Sequence, residues 1–205
     1  VTSVLIINDD KGKCTGTYKS ILGKSESYNV RSEIIHSSEK EYGKKIQKLG
    51  SSDVDIENFA VDSLKKYDFP LSVRYDFDMK NFSNSDILYF NPMFGGEYKT
   101  NPFKSINRHY PVEIPYLIDE TYILTMDIPV GYTVDEMPKS AKVAFNEKDG
   151  YFEYLIQKGQ DNIQFRARLK LNKAYYPTDD YSTLRDFFAF VVKKENEQIV
   201  FKKIK

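Results

Sequence analysis

The chain has 205 residues, 40% of them hydrophobic, with 30 basic and 30 acidic side chains and a formal net charge of zero. This length and apolar content can fill a buried core, which excludes a largely disordered chain. The balanced charge predicts no nucleic-acid partner, and no apolar run approaches the roughly 20 residues of a membrane-spanning helix, so we also predict no membrane span.

Two strands are predicted at the start of the chain. Apolar residues 4–7 and the alternating residues 13–22 predict the strands, and the Asn, Asp and Gly residues of 8–12 predict the turn between them. The only cysteine, Cys14, falls on the second strand and not at a helix N-terminus, where a thiolate would be stabilised. We therefore interpret it as a structural residue. Because the chain starts at Val1 without an initiator methionine, we expect it to be a fragment or a mature piece.

A helical region is predicted at residues 25–49. Ser25 or Ser27 can cap it, and Gly50 ends it. Residues 37–38, both serine, interrupt the pattern, so the region has two interpretations, one long helix or two short helices. The apolar residues that share one face at helical spacing are Ile35, Tyr42, Ile46 and Leu49.

Three strands are predicted between the helical region and the middle of the chain. Residues 54–64 predict a strand without a fixed register, residues 69–78 a strand with one buried and one wet face, and residues 86–90 a short strand. Asp76 and Asp78 point the same way, as a calcium site or an acid–base pair would need. We interpret them instead as part of a solvated strand face.

The second half of the chain predicts four further strands. They are residues 120–128, a hairpin of 142–145 and 151–157, and the long alternating strand 162–171. The polar side of the last strand is a row of basic residues, which we interpret as pairing with acids on a neighbouring strand and not as a nucleic-acid groove. The basic row consists of Arg166, Arg168 and Lys170.

Helical spacing returns at residues 178–194, where Thr178 or Asp180 can cap, and residues 199–204 supply a final strand. The helix is predicted to pack onto a sheet through Tyr181, Leu184, Phe187, Phe188 and Val191.

The fold class predicted from this pattern is mainly β, an antiparallel β-sandwich or two sandwich-like units, with helical segments near residues 25–49 and 178–194. The predicted domains are a β-rich unit with a helical insertion at 1–100 and a β-sandwich unit with a C-terminal helix at 101–205. One composite domain is the alternative.

The sequence carries few candidates for chemistry. His36 and His109 stand apart, and together with one cysteine they make a weak set of metal ligands. The signatures of phosphate loops, zinc peptidases and serine hydrolases do not occur. We therefore predict no catalytic residue, no metal site, no cofactor and no enzymatic activity.

Residues 101–140 contain an ordered set of short motifs: Asn101-Pro102-Phe103, Arg108-His109-Tyr110-Pro111-Val112, Glu120-Thr121-Tyr122, Ile128-Pro129-Val130-Gly131-Tyr132 and Met137-Pro138-Lys139-Ser140. This set resembles the C-terminal region of bacterial transglutaminase-like proteins. In these secreted or periplasmic proteins of Gram-negative bacteria, a domain of unknown function precedes a transglutaminase or papain-like core, and a β-rich region follows it. The helix from Tyr181 to Val191 fits the same pattern, and a weaker match upstream extends the resemblance over most of the chain.

The resemblance implies a non-catalytic accessory β-sandwich region of a larger cell-envelope protein of the transglutaminase-like or cysteine-peptidase-like kind. Its partner would be an upstream transglutaminase-like domain of the same polypeptide, on which the region packs or to which it presents a protein or peptide substrate. The implied location is periplasmic or secreted. The family's catalytic residues belong to its core domain, and none of them is carried over to this chain.

Two other classes of function stay open at this stage. An independent glycan- or peptide-binding module would need a tyrosine-lined groove. A cysteine-dependent hydrolase would need Cys14 within hydrogen-bond reach of His36 or His109. For a surface interaction we select Arg108, His109 and Tyr110, because polar and aromatic groups on a proline-stiffened segment are pre-organised for contact. Packing of this segment onto the protein is the competing interpretation.

Overall fold

The structure, a computed structural model, describes residues 1–49 (backbone alone for 48 and 49), 54–80, 82, 85–96 and 98–204. In this part of the chain the fold is mainly β. The strands are β1 (Thr2–Asn8), β2 (Cys14–Leu22), β3 (Val54–Asp62), β4 (Leu71–Met79), β5 (Ile87–Phe90), β6 (Val112–Glu113), β7 (Ile118–Asp127), β8 (Tyr132–Glu136), β9 (Ala141–Phe145), β10 (Gly150–Lys158), β11 (Asn162–Leu171), β12 (Tyr175–Tyr176) and β13 (Ile199–Lys203). The α-helices are α1 (Lys24–His36), α2 (Glu39–Leu49) and α3 (Tyr181–Glu195), and a short 3-10 turn (Thr178–Asp180) precedes α3.

The predicted fold class is confirmed, including the two helical segments. Eight strands form one large sheet in the order β3-β4-β2-β1-β7-β11-β10-β9, and two smaller sheets have the orders β5-β13-β8 and β12-β6. The large sheet is mixed, because β1 and β7 run parallel with Thr2 beside Tyr122, whereas the other strand pairs described in it are antiparallel. This parallel pair joins the predicted units 1–100 and 101–205 in one sheet. The division into units stays a prediction.

One face of the large sheet, the covered face, carries the main hydrophobic core. Tyr122, Leu124 and Met126 of β7 are buried on this face, as their alternation predicts. The strands β5, β13 and β8 and the helix α3 contribute to the same core. All five residues of the predicted α3 face are buried: Tyr181, Leu184, Phe187, Phe188 and Val191.

The opposite face of the large sheet, the open face, is more exposed. Aliphatic side chains on it are about two-fifths exposed, including Leu5 at 42% and Ile123 at 39%. The basic row of β11 also lies here and pairs with acids, as predicted: Arg166 Nη1 lies 2.7 Å from Glu153 Oε1. Arg168 Nε and Nη2 donate to the two carboxylate oxygens of Asp119 at 2.9 and 3.0 Å.

The first helical segment is broken into two helices, and its predicted apolar face is partly wrong. Ile35 is 55% exposed, whereas Ser27, Arg31 and Ile34 are the buried residues of α1. The predicted face joined Ile35 to residues beyond the serine pair 37–38, but the chain leaves helical geometry there. The two helices therefore have independent orientations, and a face extrapolated across the break does not hold.

The start of α1 also differs from the expectation of a serine cap. Gly23 is the N-cap, and its amide donates to Glu26 Oε2 at 3.0 Å. Ser27 lies inside the helix, where its hydroxyl donates to the carbonyl of Lys24. The predicted end at Gly50 and the start of the next segment, residues 51–53, lie outside the described residues.

A bulge at residues 58–59 explains why the register of β3 could not be fixed from the pattern. The pairing of β3 with β4 shifts between Glu57 and Ala60, and Asn58 has a φ of 52°, a conformation that Asn tolerates better than most residues. The bulge places the Phe59 ring against α2, where the Tyr42 ring lies 6.1 Å away. In the described part of the chain, no helix has the length and apolar content to cross a bilayer.

Candidate functional site

A cavity of about 240 Å³ lies on the covered face of the large sheet, where the N-terminal and C-terminal halves of the chain meet. Its floor is formed by β2, β1, β7 and β11, and its walls by the start of α1, the loop after β5 and the end of α3. We call it the tyrosine–glutamate pocket. Its lining residues are Val1, Thr2, Tyr18, Leu22, Glu26, Met93, Gly96, Tyr98, Tyr116, Glu120, Thr121, Tyr122, Ala167, Leu169 and Glu195.

The tyrosine rings of the pocket are held by other aromatic rings. Tyr18 stacks on Tyr75 of the neighbouring strand, with ring centroids 4.6 Å apart and planes 7° from parallel. The Tyr98 ring meets the Phe188 ring of α3 edge to face at 5.7 Å. Because such contacts restrict the rings, the aromatic wall is formed before any ligand enters.

The end of α3 anchors the loop that carries Tyr98. Glu195 is 3% exposed, and its Oε2 accepts a hydrogen bond from the Tyr98 amide at 2.8 Å. The side chain of Asn91 donates to the Glu195 carbonyl, and that of Asn196 donates to the Tyr98 carbonyl, both at 2.9 Å. These bonds from α3 fix the loop at two points, so the position of the Tyr98 ring follows from the position of the helix.

Glu120 lies on β7, on the same side of the strand as Tyr122. Glu120 is exposed as a residue, yet neighbouring atoms crowd its carboxyl group; this burial of the carboxyl, and then the negative charge of Glu26, raise its pKa above the ordinary value. A side-chain hydrogen bond with Tyr98 acts in the opposite direction. Burial also raises the pKa of Tyr98, followed by the charges of Glu120 and Glu195. At neutral pH Tyr98 is therefore a neutral hydroxyl beside a carboxyl group.

This arrangement suits the binding of an organic ligand better than that of a metal. Carboxylates and tyrosine hydroxyls supply hydrogen-bonding groups at the edge of aromatic surfaces, as in small-molecule sites. Among the described residues, no group of three or more His, Cys, Asp or Glu side chains is placed to hold a metal ion.

The residues selected for a surface interaction lie elsewhere, on the segment before β6. Arg108, His109 and Tyr110 are all exposed, Tyr110 by 79%. The Arg108 guanidinium lies 5.8 Å from the ring centre of Tyr181, and Arg108 Nε donates to the Tyr110 carbonyl at 3.2 Å. The Tyr181 hydroxyl donates to the carbonyl of Ser105, which ties the segment to α3. Their role in an interaction stays a prediction.

Cys14 lies at the start of β2, with 1% of its surface exposed, and its thiol lies 3.6 Å from Asn8 Oδ1. Burial, and then the charges of Asp127 and Asp9, raise its pKa to about 11, so little thiolate is present at neutral pH. His36 is exposed, and its Nδ1 lies 2.7 Å from the carbonyl of Ser32.

The pair Asp76 and Asp78 lies on the open face, as predicted for a wet strand face. Asn58 Nδ2 donates to Asp76 at 2.8 Å, and Lys13 Nζ lies 2.7 Å from Asp78. These polar partners neutralise or hydrogen-bond the carboxylates, which fits a structural role for the pair.

The site residues predicted from the sequence do not include Glu120, Glu195 or Tyr98. Two of them could have been found from the pattern. Glu120 continues the apolar side of β7, two residues before Tyr122, and Glu195 continues the buried stripe of α3, four residues after Val191. An acidic residue in a position that the pattern assigns to apolar side chains is an exception to that pattern, and such exceptions concentrate at functional sites. Tyr98 lies in a loop, where no periodicity marks it.

Together the fold and pocket describe a β-rich module that offers a preformed concave site. A family model described as "Domain of Unknown Function with solved-structure structure (DUF3858)" matches residues 86–201. This match covers more than half of the chain, which therefore belongs to the DUF3858 family.

No curated protein matches the chain. Among solved structures, a crystal structure described as that of a "putative protease" from Parabacteroides distasonis ATCC 8503 is similar, with 19% sequence identity and a TM-score of 0.42. The match covers 48% of this chain and 19% of that chain.

Proposed function

We propose that this chain is a non-catalytic accessory region of a larger bacterial cell-envelope protein, periplasmic or secreted, with an upstream transglutaminase-like or cysteine-peptidase-like core. The region packs on that core or presents a protein or peptide substrate to it. The resemblance of residues 101–140 to such proteins supports the proposal, and membership of the DUF3858 family is consistent with it. The burial and raised pKa of the Cys14 thiol are unfavourable for a nucleophile, which favours a non-catalytic role.

The observation that carries the proposal is the open face of the large sheet. A sheet with one face on the core usually presents polar residues on the other, but here aliphatic side chains on four strands remain about two-fifths exposed. They are Leu5 42%, Ile7 43%, Ile21 41%, Ile123 39% and Leu155 42%. A concavity of about 330 Å³ lies beside Leu5 and Ile7. An exposed apolar surface with a polar rim is typical of a surface that another domain covers.

The charged residues around the open face form its polar rim. Glu57, Asp76 and Asp78 line the concavity, and Arg166 and Arg168 lie on β11. Asp78, Arg166 and Arg168 are paired with opposite charges within the sheet, so the apolar centre and not a net charge marks this surface. We assign the covering surface to the upstream core of the same polypeptide.

The proposal is tested by separating the chain from the rest of its polypeptide. Residues 1–205 and the upstream portion are produced separately and mixed, and their association is measured by analytical ultracentrifugation. We expect binding that Ile123→Lys on the open face abolishes. Ile87→Lys, at a side chain of β5 that is 46% exposed, is the matched control and should bind as the unaltered chain does. Loss of binding in both variants, or in neither, contradicts a specific role for the open face.

Activity assays test the non-catalytic assignment independently. Peptide and amine substrates are given to the full-length protein, to the upstream portion and to residues 1–205 alone. Activity should stay with the upstream portion, and Cys14 of the isolated region should react slowly with a thiol reagent at pH 8. If the isolated region turns over substrate and Cys14→Ser abolishes this turnover, the chain is itself an enzyme and the proposal is wrong.

A second candidate function is supported by the tyrosine–glutamate pocket. A glycan- or peptide-binding module requires a tyrosine-lined groove, and four tyrosines line this cavity. The candidate is compatible with the accessory role, because a region that presents a substrate must bind part of it. Saturation-transfer NMR with peptide and oligosaccharide mixtures tests this candidate: signals that Tyr98→Ala removes support binding in the pocket.

A further inference from the structure

The tyrosine–glutamate pocket places acids where its elements otherwise carry apolar residues. Glu120 takes an apolar position of β7, and Glu195 takes one on α3. A carboxylate in such a position loses part of its hydration, and this loss has to be offset by polar or charged partners. Glu195 has such a partner in the Tyr98 amide. Glu120 lies at the edge of the cavity, where a ligand can reach it.

The walls of the pocket favour positive charge as well. The face of a tyrosine ring attracts an ammonium or guanidinium group within about 6 Å of its centre, and the attraction strengthens as water is excluded. Tyr18, Tyr98, Tyr116 and Tyr122 surround the cavity. Their rings also provide apolar surface for the aliphatic stem that carries such a group.

The lining is acidic in its charge balance. Glu26, Glu120 and Glu195 contribute three carboxyl groups, whereas the described lining residues include no Lys or Arg side chain. The Val1 nitrogen donates to the carbonyl of Ile21 at 2.8 Å. Burial, and then the Glu26 charge, raise the pKa of Glu120, because two carboxylates close together repel each other. A bound cation would relieve this repulsion.

We propose that the pocket binds the ammonium group of an aliphatic primary amine, with Glu120 as its ion partner and the tyrosine rings around its stem. The cavity of about 240 Å³ has room for about eight water-sized groups at about 30 Å³ each, which is enough for the five heavy atoms of a lysine side chain. The inference deepens the peptide-binding candidate and rests on it. It does not depend on the accessory role.

The test compares a cationic ligand with a neutral one of the same shape. Nα-acetyl-lysine methylamide and Nα-acetyl-norleucine methylamide are titrated into residues 1–205 at pH 7.5 and low salt, and binding is measured by calorimetry. The lysine derivative should bind at least about tenfold more tightly, which corresponds to one charge-assisted contact. A titration with 1,5-diaminopentane identifies the source of the amine: tighter binding of the lysine derivative points to a peptide, and tighter binding of the diamine to a free amine.

Variants locate the binding. Glu120→Gln should weaken binding of the lysine derivative about tenfold and leave the norleucine derivative unchanged. Glu113→Gln, at an exposed glutamate of β6 outside the lining, is the matched control for charge and should bind as the unaltered chain does. Tyr116→Leu removes one aromatic wall independently of the carboxylates and should weaken binding as well. Circular dichroism confirms that each variant is folded.

The outcomes separate this inference from the proposals above. Equal binding of the lysine and norleucine derivatives overturns the assignment of a cation and leaves the peptide-binding candidate in place. Unchanged affinity in Glu120→Gln overturns the assignment of the ion partner. If neither derivative binds, the inference fails entirely. The accessory role would be unaffected, because the association and truncation experiments test it.

Discussion

The helices α3 and α1 both lie over the covered face of the large sheet, but they are attached in different ways. α3 buries a stripe of aromatic and aliphatic side chains in the main core, with Phe188 between the rings of Tyr98 and Phe103. α1 buries Ser27, Arg31 and a single aliphatic residue, Ile34. One helix is therefore held by many small apolar contacts, and the other by a few polar ones.

Arg31 is the main polar attachment of α1. It is 5% exposed, and its guanidinium donates to backbone carbonyls of the loop between β3 and β4. The carbonyls belong to Ser63, Leu64, Lys66 and Phe69. The fork of donors on an arginine suits several carbonyls at once. Apolar burial weakens gradually when one group is lost, whereas a polar attachment concentrated in one side chain is lost with that side chain.

The largest effect is expected from breaking the apolar attachment. Phe188→Ala removes a ring that is 2% exposed and should lower the free energy of unfolding by about 3–5 kcal/mol, because the vacated space cannot fully collapse. Urea denaturation measures the change. Asp186→Ala, at a side chain 73% exposed on the same helix, is the control and should change stability by no more than about 0.5 kcal/mol. A loss below about 1 kcal/mol in Phe188→Ala would contradict the apolar attachment.

The next effect comes from breaking the polar attachment. Arg31→Met keeps the aliphatic stem but removes the guanidinium, which leaves partly buried carbonyls without their donor, and it should cost about 2–4 kcal/mol. Hydrogen exchange should accelerate in residues 63–69 more than in α3, because the damage is local. Arg74→Met removes an exposed arginine paired with Asp62 and should cost no more than about 1 kcal/mol. Equal acceleration of exchange in α3 would show that α1 and α3 are not attached independently.

A smaller effect is expected inside the large sheet, where Gly16 is closely packed. Gly16 of β2 lies under the Phe77 ring, and a Cβ there would come within 2.5 Å of the ring and 2.3 Å of the Leu5 carbonyl oxygen. Gly16→Ala should therefore cost about 1–3 kcal/mol by overpacking, measured by urea denaturation. Gly23→Ala is the control, because its Cβ would find Glu26 Oε2 at an ordinary 3.7 Å, and it should cost about 1 kcal/mol at most. Equal losses of stability in the two variants would mean that the conformational freedom of glycine, and not the lack of space for a Cβ, determines the cost.

The smallest effect concerns pH and the pocket between the two attachments. Since the pKa of Glu120 is raised in the folded chain, the folded state holds this proton more tightly than the unfolded state. The contribution of Glu120 to stability is therefore fully present below its pKa in the unfolded chain, and it is lost as pH rises from there through the higher pKa of the folded chain. Glu120→Gln removes this slope, so the variant should gain stability relative to the unaltered chain between pH 4 and pH 7. Thermal unfolding at several pH values measures this, and parallel pH profiles would contradict it.

The elements of this fold with a strong period were predictable from sequence. The buried face of α3, the strand β11 and the hairpin of β9 and β10 follow directly from the spacing of apolar residues. The prediction for Ile35 is wrong because helical spacing was carried across a break. The short strands β6 and β12 were not predicted, since two residues carry no period.

The pocket was less predictable, for a physical reason. Its residues come from α1, α3, four strands and the segments after β5 and before β7, and which of these converge depends on the order of strands in the sheet. The parallel pairing of β1 with β7, which no local pattern encodes, brings Thr2 beside Tyr122 and so closes the cavity floor. Individual residues such as Glu120 could be flagged as irregular from sequence alone, but not as neighbours of Tyr18 or Tyr98.

The parallel pairing of β1 and β7 also has a consequence for how the chain matures on the ribosome. β1 and β2 can form a hairpin early, but the other edge of β1 waits for a partner far along the chain, as the bond from Asn8 to the Ile128 carbonyl, 120 residues away, illustrates. At about 5–20 residues per second, this edge stays unpaired for roughly ten seconds during synthesis. An unpaired strand edge is a template for wrong pairing. Yield in the cell therefore depends on how well this early hairpin is shielded, a property that equilibrium stability does not measure.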